Sequence, residues 1–155
     1  MPNLCEVLHC HSYLAIVERL AVECAVPVAA IVQVDPERLW LRAAVGMPSR
    51  EMPRCTALDD LATGGDGIQV IGDLAADPRF AGRPLTVKGR QMRFYAGAPL
   101  VVHGGRHAGV LCMLDSEPRL LSVADVRHLR WLSGRATILM NVQKAVEQVA
   151  YGSVG

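Results

Sequence analysis

A chain of 155 residues, 51% of them apolar, has the size of one ordinary domain and enough material for a core, which excludes a disordered chain. Sixteen basic against fifteen acidic side chains leave a net charge of +1, so neither nucleic acid nor an anionic membrane is an expected partner. The longest apolar stretch, Val26 to Val34, contains Pro27 and Gln33 and falls far short of the roughly 18–20 residues that span a bilayer.

The start, Met-Pro-Asn-Leu-Cys-Glu, lacks the basic segment of a secretory signal, and five cysteines without paired spacing predict a reducing, cytoplasmic setting. A first helix is expected over about residues 8–24, because Tyr13, Val17, Leu20, Ala21 and Cys24 recur at helical steps and Pro27 ends the segment. Val28–Val34 reads as a buried strand. Asp35-Pro36-Glu37-Arg38 reads as a turn, and Leu39–Val45 as a returning strand with Leu39, Leu41, Ala43 and Val45 on one face. Residues 46–54, with two prolines, are expected to be irregular. A short helix is expected over Thr56–Thr63, capped by Thr56, and a short strand over Ile68–Ile71. Residues 72–89 form a long excursion predicted to hold at most short helical turns.

The most informative segment follows. Met92–Val102, the turn His103-Gly104-Gly105-Arg106 and Ala108–Asp115 predict a hairpin with no polar face: Val110, Cys112 and Leu114 point one way, Leu111 and Met113 the other. The hairpin therefore belongs in mid-sheet, covered on both sides. The last helix starts at Ser122, with Asp125 completing a capping box, and runs to about 150. Val126, Leu129, Leu132, Ala136, Leu139 and Val146 form one stripe. Trp131, Ile138, Val142 and Val149 lie on another face, and a helix of this length is expected to pair with a second chain. Antiparallel strands between terminal helices predict an α+β fold.

Gly72-Asp73-Leu74-Ala75-Ala76-Asp77-Pro78-Arg79-Phe80, Arg93-Phe94-Tyr95-Ala96-Gly97-Ala98-Pro99-Leu100, Gly109–Asp115, Pro118-Arg119 and Leu121-Ser122 together resemble a GAF domain of the bacterial type found beside sensor histidine kinases and diguanylate cyclases. The resemblance covers nearly all of residues 1–155 as one domain, with about 1–12 as lead-in and about 122–150 as the dimerisation and signalling helix. It implies a five- to six-stranded antiparallel sheet, terminal helices on one face, and a pocket under short helices and loops on the other. The chain departs from the family's Cys-x-His pair, with Asp59 and Leu61 at those positions and Cys55 out of register. The cyclic-nucleotide signature and the bilin-attachment cysteine are also missing.

The function implied is non-catalytic sensing of a small molecule, with output through a homodimer of terminal helices to an effector or partner protein outside these residues. No cofactor, metal, nucleic acid or membrane partner is expected. Pocket candidates are Asp73, Asp77, Arg79 and Phe80 on the covering loop, Arg93 and Tyr95 on a shared strand face, Gly97 and Asp115. Two carboxylates and a guanidinium suit a small polar ligand. The plainer readings are an Asp77-Pro78 turn with Arg79 paired to an acid, an Arg93–Asp115 ion pair, and a bulge at Gly97. Cys112 reads as an inert core thiol, and His103 and His107 as solvated turn residues. Cys5, His9, Cys10 and His11 supply at most half a zinc site. Two alternatives to sensing stand: a structural dimerisation module with its pocket plugged by Phe80, Met92 and Tyr95, and a free methionine sulfoxide reductase using Cys55 or Cys112.

Overall fold

The helical spacing near the N-terminus becomes α1, Leu4–Glu23, which buries Tyr13, Ile16, Val17 and Leu20. The computed structural model describes the backbone of residues 4–47, 51–53, 57–63 and 65–151, and the side chains of 12–47, 58–63 and 65–149. α1 starts about a turn earlier than the apolar stripe predicts. It stops where Ala25 takes a left-handed conformation (φ 52°) and the Val26 amide donates back to the Ala21 carbonyl at 3.1 Å. Arg119, far away in sequence, donates to the carbonyls of Cys24 (2.8 Å) and Ala25 (2.9 Å), so a guanidinium closes the helix end.

Among the described residues eight strands follow in two sheets: β1 (Val28–Val34), β2 (Arg38–Val45), β3 (Glu51–Pro53), β4 (Gln69–Ile71), β5 (Thr86–Val87), β6 (Arg90–Gln91), β7 (Phe94–Val102) and β8 (Arg106–Asp115). Six make one antiparallel sheet in the order β3-β2-β1-β8-β7-β4. The β7–β8 hairpin thus lies inside the sheet, as its two dry faces require. Gly104 and Gly105, both at positive φ, make its turn.

Four local expectations change. β3, in the segment expected to be irregular, pairs with β2 through Leu39↔Met52 and its neighbours. β5 and β6 form a small hairpin closed by Lys88-Gly89, both at positive φ, where only helical turns are expected. Arg42 is an extra residue in β2: Ile31 pairs with Ala43, but Val32 pairs with Leu41. The bulge switches the strand's faces, so Leu39 and Leu41 go to one side of the sheet and Ala43 and Val45 to the other. The bulge in the central hairpin lies at Leu100/Val101, opposite the extra residue Ala108, and not at Gly97.

The helix α3, Val123–Tyr151, begins with the predicted box: the Asp125 amide donates to Ser122 Oγ at 3.0 Å, and the Ser122 amide donates to Asp125 Oδ2 at 3.1 Å. Its Leu129, Leu132, Ala136 and Met140 join α1 and the inner side chains Phe94, Ala96, Ala98, Leu100, Leu111 and Met113 in one core layer. Val146, expected on this stripe, is 43% exposed; the buried stripe of α3 ends at Met140. The short helix α2 (Ala57–Thr63) covers the opposite sheet face. Its predicted cap, Thr56, lies outside the described residues. No helix among the described residues is long and apolar enough to cross a membrane.

Candidate functional site

The face under α2 and the 72–93 loop carries Val28, Ala30, Val32, Tyr95, Val110, Cys112 and Leu114 from the sheet. Leu58 and Leu61 of α2 descend on it, with Leu74, Phe80, Leu85, Val87 and Met92 from the loop; all are buried. The loop is therefore a second core layer. Tyr95 is fully buried at its centre and donates a long 3.5 Å bond to the Leu61 carbonyl. Burial pushes its hydroxyl pKa well up, so it stays a neutral donor. Gly97 makes room for that hydroxyl: a Cβ there would stand 2.2 Å from Tyr95 Oη. A void among the described residues, about 10 Å³ and near the size of one water, borders Tyr95, Gly97, Leu61, Gly67, Gln69 and Val110. Gln69 Oε1 is buried there without a hydrogen-bond partner among the described residues.

The polar candidates lie outside this layer. Arg93 precedes β7 and points to the surface, donating to both carboxylate oxygens of Asp73 (3.0 and 2.6 Å). Its amide donates to the Asp115 carbonyl at 2.8 Å, but its guanidinium does not reach the Asp115 carboxylate and does not share the covered face with Tyr95. Arg93 holds the Asp73 carboxyl below its usual pKa, with the Ala75 amide helping. Asp115 instead accepts from Arg119 at 3.2 Å and from the Glu117 amide. Asp77 accepts from the backbone and guanidinium of Arg79 at 2.9, 3.1 and 2.8 Å, the local turn pair of the plainer reading. Of the eight candidates, Phe80, Tyr95 and Gly97 meet at the face, while Asp73, Asp77, Arg79, Arg93 and Asp115 form ion pairs at its rim. Met92 joins Phe80 and Tyr95 in the same layer.

Cys24 and Cys112 are buried free thiols. Burial pushes both pKa values up to about 12, aided at Cys24 by Asp125. At pH 8 both thiols therefore stay protonated. Iodoacetamide at that pH is expected to leave both unmodified in the folded protein and to label both after denaturation; mass spectrometry showing native labelling of Cys112 would contradict this. Cys55 and the side chains of Cys5, His9, Cys10 and His11 lie outside the described residues. Among the described residues no three His, Cys, Asp or Glu side chains gather at metal-binding distance.

The other unassigned surface is the outer side of α1 and α3. Trp131 (52% exposed), Ile138 (62%), Val142 (47%) and Val149 (78%) face outward as predicted. The guanidiniums of Arg19 and Arg135 lie 5.3 and 5.1 Å from the Trp131 ring centroid. Sequence reading missed both, although Arg135 stands one turn after Trp131 on the same helix; only the Arg19 contact depends on how α1 lies beside α3. A groove of about 480 Å³ runs here between the helices.

An antiparallel sheet between paired terminal helices and a loop-covered face is the GAF architecture, and the GAF domain family model matches residues 3–140; the chain belongs to that family. Among curated proteins, a cyclic di-GMP phosphodiesterase of Pseudomonas aeruginosa is 40% identical over 93 residues, which are 60% of this chain and 16% of that protein. The chain thus spans only a small part of that relative's length. Among solved structures, the GAF domain of an Acinetobacter phosphoenolpyruvate-protein phosphotransferase superposes with a TM-score of 0.74 at 21% identity, covering 89% of this chain and 85% of that one. A type II free methionine-R-sulfoxide reductase from Thermoplasma acidophilum gives 0.71 at 17% identity, covering 87% and 94%. At these identities the likeness establishes the fold alone.

Proposed function

We propose that the chain is a non-catalytic regulatory module of bacterial signal transduction. It pairs with a second copy through α1 and α3 and passes its state along α3 to an effector outside these residues, in the cytoplasm. The observation that carries this reading is the outer seam of α3. Trp131, Arg135, Ile138, Val142, Ala145 and Val149 follow one another at alternating steps of four and three, the spacing of a coiled-coil seam. Every apolar member of the seam is exposed. The activity named for the Pseudomonas relative suggests cyclic dinucleotide turnover as the effector's chemistry. The buried, proton-bound Cys112 argues against thiol catalysis at the covered face.

Ile138→Glu is expected to dissociate the pair. An isologous interface suffers the change twice, and at about 2 kcal/mol per central apolar residue the dimer Kd rises about a thousandfold. Light scattering should show the mass halving while the melting temperature of the monomer is kept. A wild-type chain that is monomeric at about 100 µM, well above the Kd of such interfaces, would refute the pairing.

A second reading, small-molecule sensing at the covered face, is favoured by the unpaired Gln69 Oε1 beside Tyr95. A buried acceptor without a donor costs about 1–3 kcal/mol, which a ligand N–H or O–H would recover. In this reading Tyr95 is the plug that must move. Asp73, Asp77, Arg79, Arg93 and Asp115 then hold the rim around it.

A further inference from the structure

The two β-bulges seen among the described residues of the main sheet open onto one place. Arg42, the extra residue of β2, and Ala108, the extra residue of β8, line a cavity of about 210 Å³ between the sheet and the distal half of α3. Bulges re-aim side chains and gather near functional sites. Here the bulge places Arg42 on the helix side, where its Nε–H is held by Gln33 Oε1. Arg106, from the β7–β8 turn, and Lys144, from α3, line the same cavity. Among the described residues neither has a carboxylate partner within ion-pair distance.

The one acid of the cavity, Glu147, accepts from Gln143 Nε2 at 3.3 Å, and Gln143 Oε1 in turn accepts from the Tyr13 hydroxyl at 3.1 Å. Three cations therefore face one carboxylate in a concave, partly sheltered site. Guanidinium groups match the oxygens of phosphate and carboxylate pairwise. We infer that this cavity binds a compact oxyanion carrying two or more negative charges, a phosphorylated or polycarboxylate small molecule. The site lies on the opposite sheet face from Tyr95 and does not depend on the plug moving.

Occupancy has a mechanical reading. Beyond Met140, α3 is largely exposed, and the described polar ties from that stretch to the rest of the fold are the His103 amide donating to Asn141 Oδ1 at 3.0 Å and the Tyr13–Gln143 bond. An anion bridging Arg106 on the hairpin and Lys144 on the helix adds a charged tie between them. Binding in the occupied state then biases how firmly α3 lies on the sheet.

Calorimetric titration of the whole chain with inorganic pyrophosphate, and separately with citrate, tests this. At about 50 mM salt, where screening is weak, one of the two anions should bind with a Kd below about 1 mM. The tighter one identifies the phosphate or the carboxylate source. Arg106→Ala combined with Lys144→Ala, both on the surface, should weaken binding about tenfold or more. Arg130→Ala, an exposed arginine in the first half of α3 outside the cavity, should leave it unchanged. Wild-type protein that binds neither anion, or a double variant that binds as the wild type does, would overturn the site. So would equal weakening by Arg130→Ala, which would mark the binding as diffuse charge attraction.

Discussion

Gly109→Ala is expected to be the most damaging single methyl in the molecule, costing about 4 kcal/mol, near the top of the range for point substitutions. Gly109 stands in β8, opposite Gln33 of β1 and Leu100 of β7. A Cβ built there lies 1.9 Å from the Val32 carbonyl oxygen, 2.9 Å from its carbon and 3.0 Å from Gln33 Cα. All three are backbone atoms, so no rotamer change relieves the overlap. β1 and β8 are the two middle strands, and parting them opens both core layers at once. Against a total stability of about 5–15 kcal/mol, such a loss leaves a marginal fold. Gly134→Ala provides the internal contrast. A Cβ there meets nothing within 4 Å, on an exposed turn of α3, and alanine should stabilise the helix by about 0.5–1 kcal/mol. Urea denaturation of the two variants measures both values. A Gly109→Ala protein within about 1 kcal/mol of the wild type would mean that the strands can part without loss, against the close packing of interiors.

What the sequence disclosed and what it withheld divide by the range of the interaction. The central hairpin was legible because Val110, Cys112 and Leu114 against Leu111 and Met113 leave no wet face, and a strand without a wet face belongs inside a sheet. Ser122 and Asp125 announced the start of α3 because a capping box is closed within one turn. The β2 bulge was not legible. Leu39, Leu41, Ala43 and Val45 alternate perfectly, and only pairing with β1 reveals that Arg42 is inserted and the apolar set split between layers. The Lys88-Gly89 hairpin hid because lysine is a poor sign of positive φ beside the usual asparagine. At the site, alternation assigned Tyr95 correctly to the covered face but carried Arg93 along with it. The strand begins one residue after Arg93, and a nearby carboxylate, Asp73, held the guanidinium outside. A family motif locates a loop over a face. Whether that loop encloses a chamber or fills it depends on side-chain volumes packed across the gap, here Phe80, Leu85, Met92 and Tyr95.

Tyr95→Ala turns that distinction into a measurement. Removing a fully buried aromatic ring costs about 3–5 kcal/mol, the transfer term plus the void left behind. The new space would join the present 10 Å³ gap, under the aliphatic side chains of Leu61 and Val110 and beside Gly97, whose missing Cβ already shapes room for a hydroxyl. Dry apolar voids on the order of 150 Å³ take up benzene-sized guests. Two acceptors wait there, the Leu61 carbonyl and the unpartnered Gln69 Oε1. Phenol replaces both the ring and its donor, whereas toluene replaces the ring alone. Phenol is therefore expected to raise the melting temperature of Tyr95→Ala more than toluene at equal concentration, and neither should shift the wild type, whose face is occupied. Stabilisation follows RT ln(1 + [L]/Kd), so phenol at about a hundred times its Kd restores about 2.7 kcal/mol, over half the loss. Equal rescue by both guests would show that the acceptors play no part. A phenol-dependent shift in the wild type would show instead that Tyr95 leaves its seat unaided and that the chamber already opens to ligands.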